Sequence, residues 1–90
     1  MRVRYVIIFR TEGLDLDGVV KDLSKYGNVT DVDDDTLTSD GTPVKLVYMD
    51  SSIVQLSLVK MAYHLAPLPE NNYIFFPMKN EEERRKVMAM

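Results

Sequence analysis

The spacing of apolar residues along this chain switches between two periods, and the order of the switches leaves few folds open. Arg2 to Arg10 is rich in Val, Ile, Tyr and Phe and reads as a strand. Leu16, Val19, Val20 and Leu23 then fall at helical spacing, with Asp15 or Asp17 as N-cap and Gly27 just beyond the end. Asn28 to Ser39 is acidic but carries Val29, Val32 and Leu37, and the Asp40-Gly41 pair that follows is the signature of a type I′ hairpin turn. Thr42 to Asp50 alternates like a strand, with Val44, Leu46 and Tyr48 on one side. Ser51 or Ser52 caps an expected helix from Ile53 to about Ala66, which Pro67 and Pro69 end. Tyr73 to Met78 is a last aromatic strand, and the acids-first, bases-last run from Asn80 to Lys86 suits a short terminal helix.

The expected order is therefore βαββαβ. It points to an α+β, ferredoxin-like sandwich: a four-stranded antiparallel sheet in the order 4-1-3-2, two helices on one face and a short C-terminal helix. One domain is expected, with a core over residues 1–79 and a helical tail over 80–90. The acidic second strand and the Pro77-bearing fourth strand suit the sheet edges, because charge and proline both discourage edge pairing.

Composition narrows the class further. Apolar residues make up 46% and charged residues 28%, which is ordinary globular usage. Cysteine is absent, so a disulfide framework and a thiolate metal site are both excluded, and a reducing, cytoplasmic setting is expected. The apolar run after Arg4 stops at Phe9, too short for a signal peptide, and no stretch is long enough to span a bilayer, so no membrane partner is expected. The net charge of −3 argues against a dedicated nucleic-acid binder.

The stretch Ile53–Leu65 carries more apolar surface than a helix on a sheet needs. Around a helical wheel only Ser57, Lys60 and His64 form a polar stripe, and Gln55 alone interrupts the apolar remainder. A domain of ninety residues is too small to bury such a helix on two sides. The expected consequence is a subunit or partner interface formed by Val54, Leu58, Met61 and Leu65, the alternative being that the terminal helix Glu81–Met90, with Val87, Met88 and Met90, folds back over that surface. The first strand adds to it: if Val3, Tyr5, Ile7 and Phe9 face the core, Val6 and Ile8 lie on the other side of the sheet, and twofold pairing is the commonest oligomer.

Candidate chemistry is sparse. Asp31, Asp33 and Asp35 are spaced like the start of a calcium loop, but Thr36 stands where the loop needs glycine and Thr42 where it needs glutamate. His64 is the single histidine, and a general base also needs an orienting partner; Ser57 and Lys60 share its stripe. Glu12, Asp15 and Asp17 crowd the start of the first helix and would repel a phosphate, and no P-loop or dinucleotide fingerprint is present. Strand aromatics with Arg2, Arg4, Arg10 and Lys45 could form a base-stacking, basic sheet face. No cofactor is expected.

The strand-turn-helix-strand pattern from Phe9 to Val29, with Gly13, Gly18, Val19, Val20, Leu23 and Gly27, resembles the opening of ACT-type regulatory domains. That resemblance implies the same βαββαβ topology and small-ligand binding at a dimer interface; a shared fold by itself licenses no function. The expected function is thus a binding or interaction module, working as a homodimer or docked on a protein partner, with a small ligand at the interface. Two alternatives stay open: a small enzyme using His64 or the Asp31–Asp35 cluster, and a nucleic-acid-associated protein using the sheet face.

Overall fold

The computed structural model describes residues 1–10, 14–68 and 70–77. The elements run β1 (Arg2–Arg10), α1 (Leu16–Leu23), β2 (Asn28–Leu37), β3 (Pro43–Ser52), α2 (Ile53–Tyr63), β4 (Leu65–Leu68) and β5 (Asn71–Pro77). The five strands form one mixed sheet in the order β2-β3-β1-β5-β4. Every neighbouring pair is antiparallel except β1 and β5, which run parallel.

The four-stranded antiparallel ferredoxin-like sheet is therefore corrected, and with it the topology shared by ACT-type domains. The difference begins at His64. Its backbone takes the left-handed conformation, φ 51° and ψ 51°, and its N–H bonds the Lys60 carbonyl. That turn ends α2 at Tyr63 and releases Leu65–Leu68 as a strand instead of a last helical turn. β4 then pairs with β5 as a hairpin, Leu65 opposite Pro77 and Ala66 opposite Phe76. The hairpin places β5 beside β1 and reverses the direction expected there. The sheet edges are β2 and β4, so Pro67 sits on an edge while Pro77 closes the inner strand β5. Met78 and the expected helix from Asn80 lie outside the described residues.

The β2–β3 hairpin also differs from a type I′ turn. Thr38 and Thr42 close a three-residue loop, with Thr38 N–H donating to Thr42 O (2.9 Å) and Gly41 N–H donating to Thr38 O (2.9 Å). Gly41 alone is left-handed here, with φ 84°. A three-residue loop that ends on a left-handed glycine is the next commonest hairpin solution. The Asp40 carboxylate accepts from the Thr38 hydroxyl and from Thr42 N–H. Those donors hold its pKa down to about 2.

Both helices cover one side of the sheet. Val3, Tyr5, Ile7 and Phe9 of β1 point into this layer with Val47, Met49 and Phe75, beneath Leu23 of α1 and Val59 of α2. Tyr5 and Phe75 meet edge to face, as do Phe9 and Tyr63. The other side of the sheet holds a smaller cluster of Ile8, Val44 and Phe76, with Leu46, Ala66, Leu68 and Ile74 against it. Gly27 lets the start of β2 approach the end of β3, since a Cβ there would lie 2.5 Å from Ser51 Cβ.

Candidate functional site

At about 100° per residue, the α2 side chains that reach the core, Leu56, Val59 and Tyr63, centre on one direction of the wheel. The direction diametrically opposite carries Val54, Leu58 and Met61. These are exposed to 71%, 47% and 74%, with Ile53 at 48% on the flank. The helix is thus apolar both where it meets the sheet and where it points outward. Its polar stripe lies at the side. Ser57 is exposed and its hydroxyl donates back to the Ile53 carbonyl (3.1 Å). Lys60 is half-buried, its ammonium 5.5 Å from the centroid of the Phe75 ring. Outward exposure of an apolar stripe is what distinguishes this helix from an ordinary surface helix.

The other residues expected at the interface divide. Leu65 belongs to the helix-side core as a β4 residue, and Ile8 is buried on the opposite side of the sheet. Both are therefore withdrawn from any contact surface by the chain's own packing. Val6 is half-buried and lines a cavity described below.

The polar candidates do not assemble a reaction centre among the described residues. His64 is exposed at the end of α2. The nearest-spaced polar neighbours on its stripe, Ser57 and Lys60, are engaged as described. Asp31 accepts from Val32 N–H (2.8 Å) and Asp33 from Asp35 N–H (3.0 Å), so these carboxylates serve the local backbone of an edge strand with two register shifts. The Asp35 amide is the leading cause holding the Asp33 carboxyl below its ordinary value, with the Thr36 hydroxyl second. Among the described residues no three His, Asp or Glu side chains converge as a metal site, and no helix is long and apolar enough to cross a membrane.

The strand aromatics divide between the two sides of the sheet, with Tyr48 and Phe76 on the side opposite the helices. Tyr5, Phe9 and Phe75 point under the helices. Lys45, in register with Phe9, lies on the helix side, away from Arg2, Arg4 and Arg10.

The sheet side opposite the helices holds a cavity of about 550 Å³. Tyr48, Val6 and Ile74 lie side by side across β3, β1 and β5 at its floor. Arg4, Thr30 and Tyr73 also line it. Arg4 is exposed. The residue opposite it on β3, Asp50, is taken by Arg2, whose Nε lies 3.1 Å from the carboxylate and whose Nη2 donates to the Asp50 carbonyl (3.2 Å). Arg4 and Val6 were readable as one side of β1, but the third wall was not: it depends on β5 running parallel beside β1.

No protein-family model, curated protein or solved structure matches this chain.

Proposed function

We propose that this chain is a small interaction module that pairs with a second copy of itself through the outward face of α2. The observation that carries the reading is the apolar stripe Val54, Leu58 and Met61, set directly opposite the side of the helix that packs on the sheet. A single domain has no use for such a stripe in water, where each exposed apolar side chain forgoes stabilisation.

A second copy suits the stripe better than a charged partner does. Its three exposed apolar residues carry no charge, so no like charges face each other within the contact. Val54 and Met61 lie about one turn on either side of Leu58, so an antiparallel twofold arrangement places Leu58 at the axis and Val54 against the other copy's Met61. The patch is narrower than the roughly 800 Å² per partner of a standard interface, so the pairing is weak, in the micromolar to millimolar range. The absence of cysteine agrees with work in a reducing cytoplasm.

Sedimentation equilibrium from about 10 µM to about 1 mM tests the reading. The native chain is expected to pass from monomer to dimer over that range. Leu58→Asp and Met61→Asp are expected to remain monomers with an unchanged circular dichroism spectrum. A native chain that stays monomeric at the highest concentration defeats the proposal, as does a dimer that both aspartate variants retain.

A further inference from the structure

We propose that the cavity on the sheet side opposite the helices binds a small monoanionic carboxylate with a ring or branched apolar body. Its volume of about 550 Å³ lies within the range of small-ligand sites, roughly 300–1,000 Å³. Its floor is three adjacent side chains from three strands, Tyr48, Val6 and Ile74, held in line by the strand register. A floor built on strands is rigid, so little ordering is lost when a ligand settles on it.

The charge of the ligand follows from Arg4. Among the described residues no hydrogen bond or ion pair engages its guanidinium, because Arg2 occupies the acid that faces it across the ladder. The planar fork of a guanidinium matches a carboxylate in two parallel hydrogen bonds. Among the described residues no second cationic side chain lines the cavity, which disfavours a dianion such as a phosphate monoester. The apolar floor then selects the body of the ligand: a phenyl ring or a branched alkyl chain covers Val6 and Ile74 and lies against the Tyr48 ring. Thr30, whose hydroxyl donates to the Tyr48 carbonyl (3.3 Å), fixes the β2 wall.

The site lies across the sheet from α2 and is independent of pairing through that helix. The test is a titration of the ¹⁵N-labelled chain with phenylacetate and with 4-methylpentanoate, each against its neutral alcohol. Saturable amide shifts at Arg4, Val6, Tyr48 and Ile74 are expected with at least one of the acids. Affinity for the matching alcohol is expected to be lower by about tenfold or more, the usual worth of a charge-assisted hydrogen bond. Arg4→Met is expected to bring the acid down to the affinity of its alcohol while leaving the remaining amide spectrum in place. Absence of saturable shifts with both acids overturns the proposal. So does equal binding of acid and alcohol, or an acid affinity that Arg4→Met leaves unchanged.

Discussion

Tyr63 ties α2 to both α1 and β1. Its ring packs edge to face on Phe9, and its hydroxyl donates to the Asp22 carboxylate of α1. Each partner moves the other's ionisation in the expected sense. Burial, then the hydrogen bond to Asp22 and after it the Asp22 charge, push the Tyr63 phenol well above its ordinary value. The Tyr63 hydroxyl, with Lys25 behind it, holds the Asp22 carboxyl below its ordinary 3.8. A carboxylate depressed by folding contributes stability that is present above its unfolded pKa and is lost as pH falls through its folded one. Tyr63→Phe removes the leading cause. The Asp22 carboxyl is then expected to titrate closer to 3.8, and the acid limb of the stability curve below about pH 4 to flatten. Carboxyl-carbon NMR titration of Asp22 in the native and Tyr63→Phe chains reads this directly; coincident titration curves would show that the contact carries no electrostatic weight.

Among the elements, β1, α1 and β3 were legible because their apolar spacing is long and unambiguous, and Asp15 caps α1 with its carboxylate 3.2 Å from Gly18 N. β4 was not legible. Leu65-Ala66-Pro67-Leu68 continues the apolar run of α2 without a break in period, and Pro67 within it and Pro69 after it read equally well as a helix stop. What separates helix from strand is one backbone rotation at His64, a residue type with only modest tolerance for left-handed φ. A glycine at that place would have marked the boundary in the sequence. The same reasoning gives an expected outcome for His64→Gly. Left-handed backbone costs a residue with a Cβ roughly 1–2 kcal/mol, and the extra freedom of glycine in the unfolded chain returns about 0.5–1 kcal/mol of that. The net expectation is a gain of about 0.5 kcal/mol, or about 2–4 °C in thermal midpoint for a chain of this size. Differential scanning calorimetry checks it. A lower midpoint would mean that the His64 side chain contributes contacts that outweigh the strain, and that the α2–β4 boundary is held by them.

For the molecule as a whole, the outward stripe of α2 was visible as excess apolar area. Its direction was not, because a wheel that is apolar nearly all round does not say which side meets the sheet. The core side is set by Leu56, Val59 and Tyr63, and Val54, Leu58 and Met61 are left outside. The sheet cavity was hidden for a different reason, since it needs a strand order that the four-stranded reading did not contain. Net charge couples to the exposed stripe. At neutral pH the chain carries −3, and this charge falls to zero near its isoelectric point of about 5.0. Repulsion between copies weakens over that interval, whereas the attraction between apolar stripes does not depend on pH. Self-association is therefore expected to strengthen from pH 7.5 to pH 5 and to relax again below the isoelectric point. Added salt at neutral pH should mimic the first part of that change by screening. Light scattering of the native chain beside Leu58→Asp separates the two contributions. If the stripe is the contact, the native mass rises toward a dimer near pH 5 while Leu58→Asp stays a monomer, although its added acid moves the isoelectric point only slightly lower. If both chains associate alike, loss of charge alone is responsible, and the outward face of α2 is not where the molecules meet.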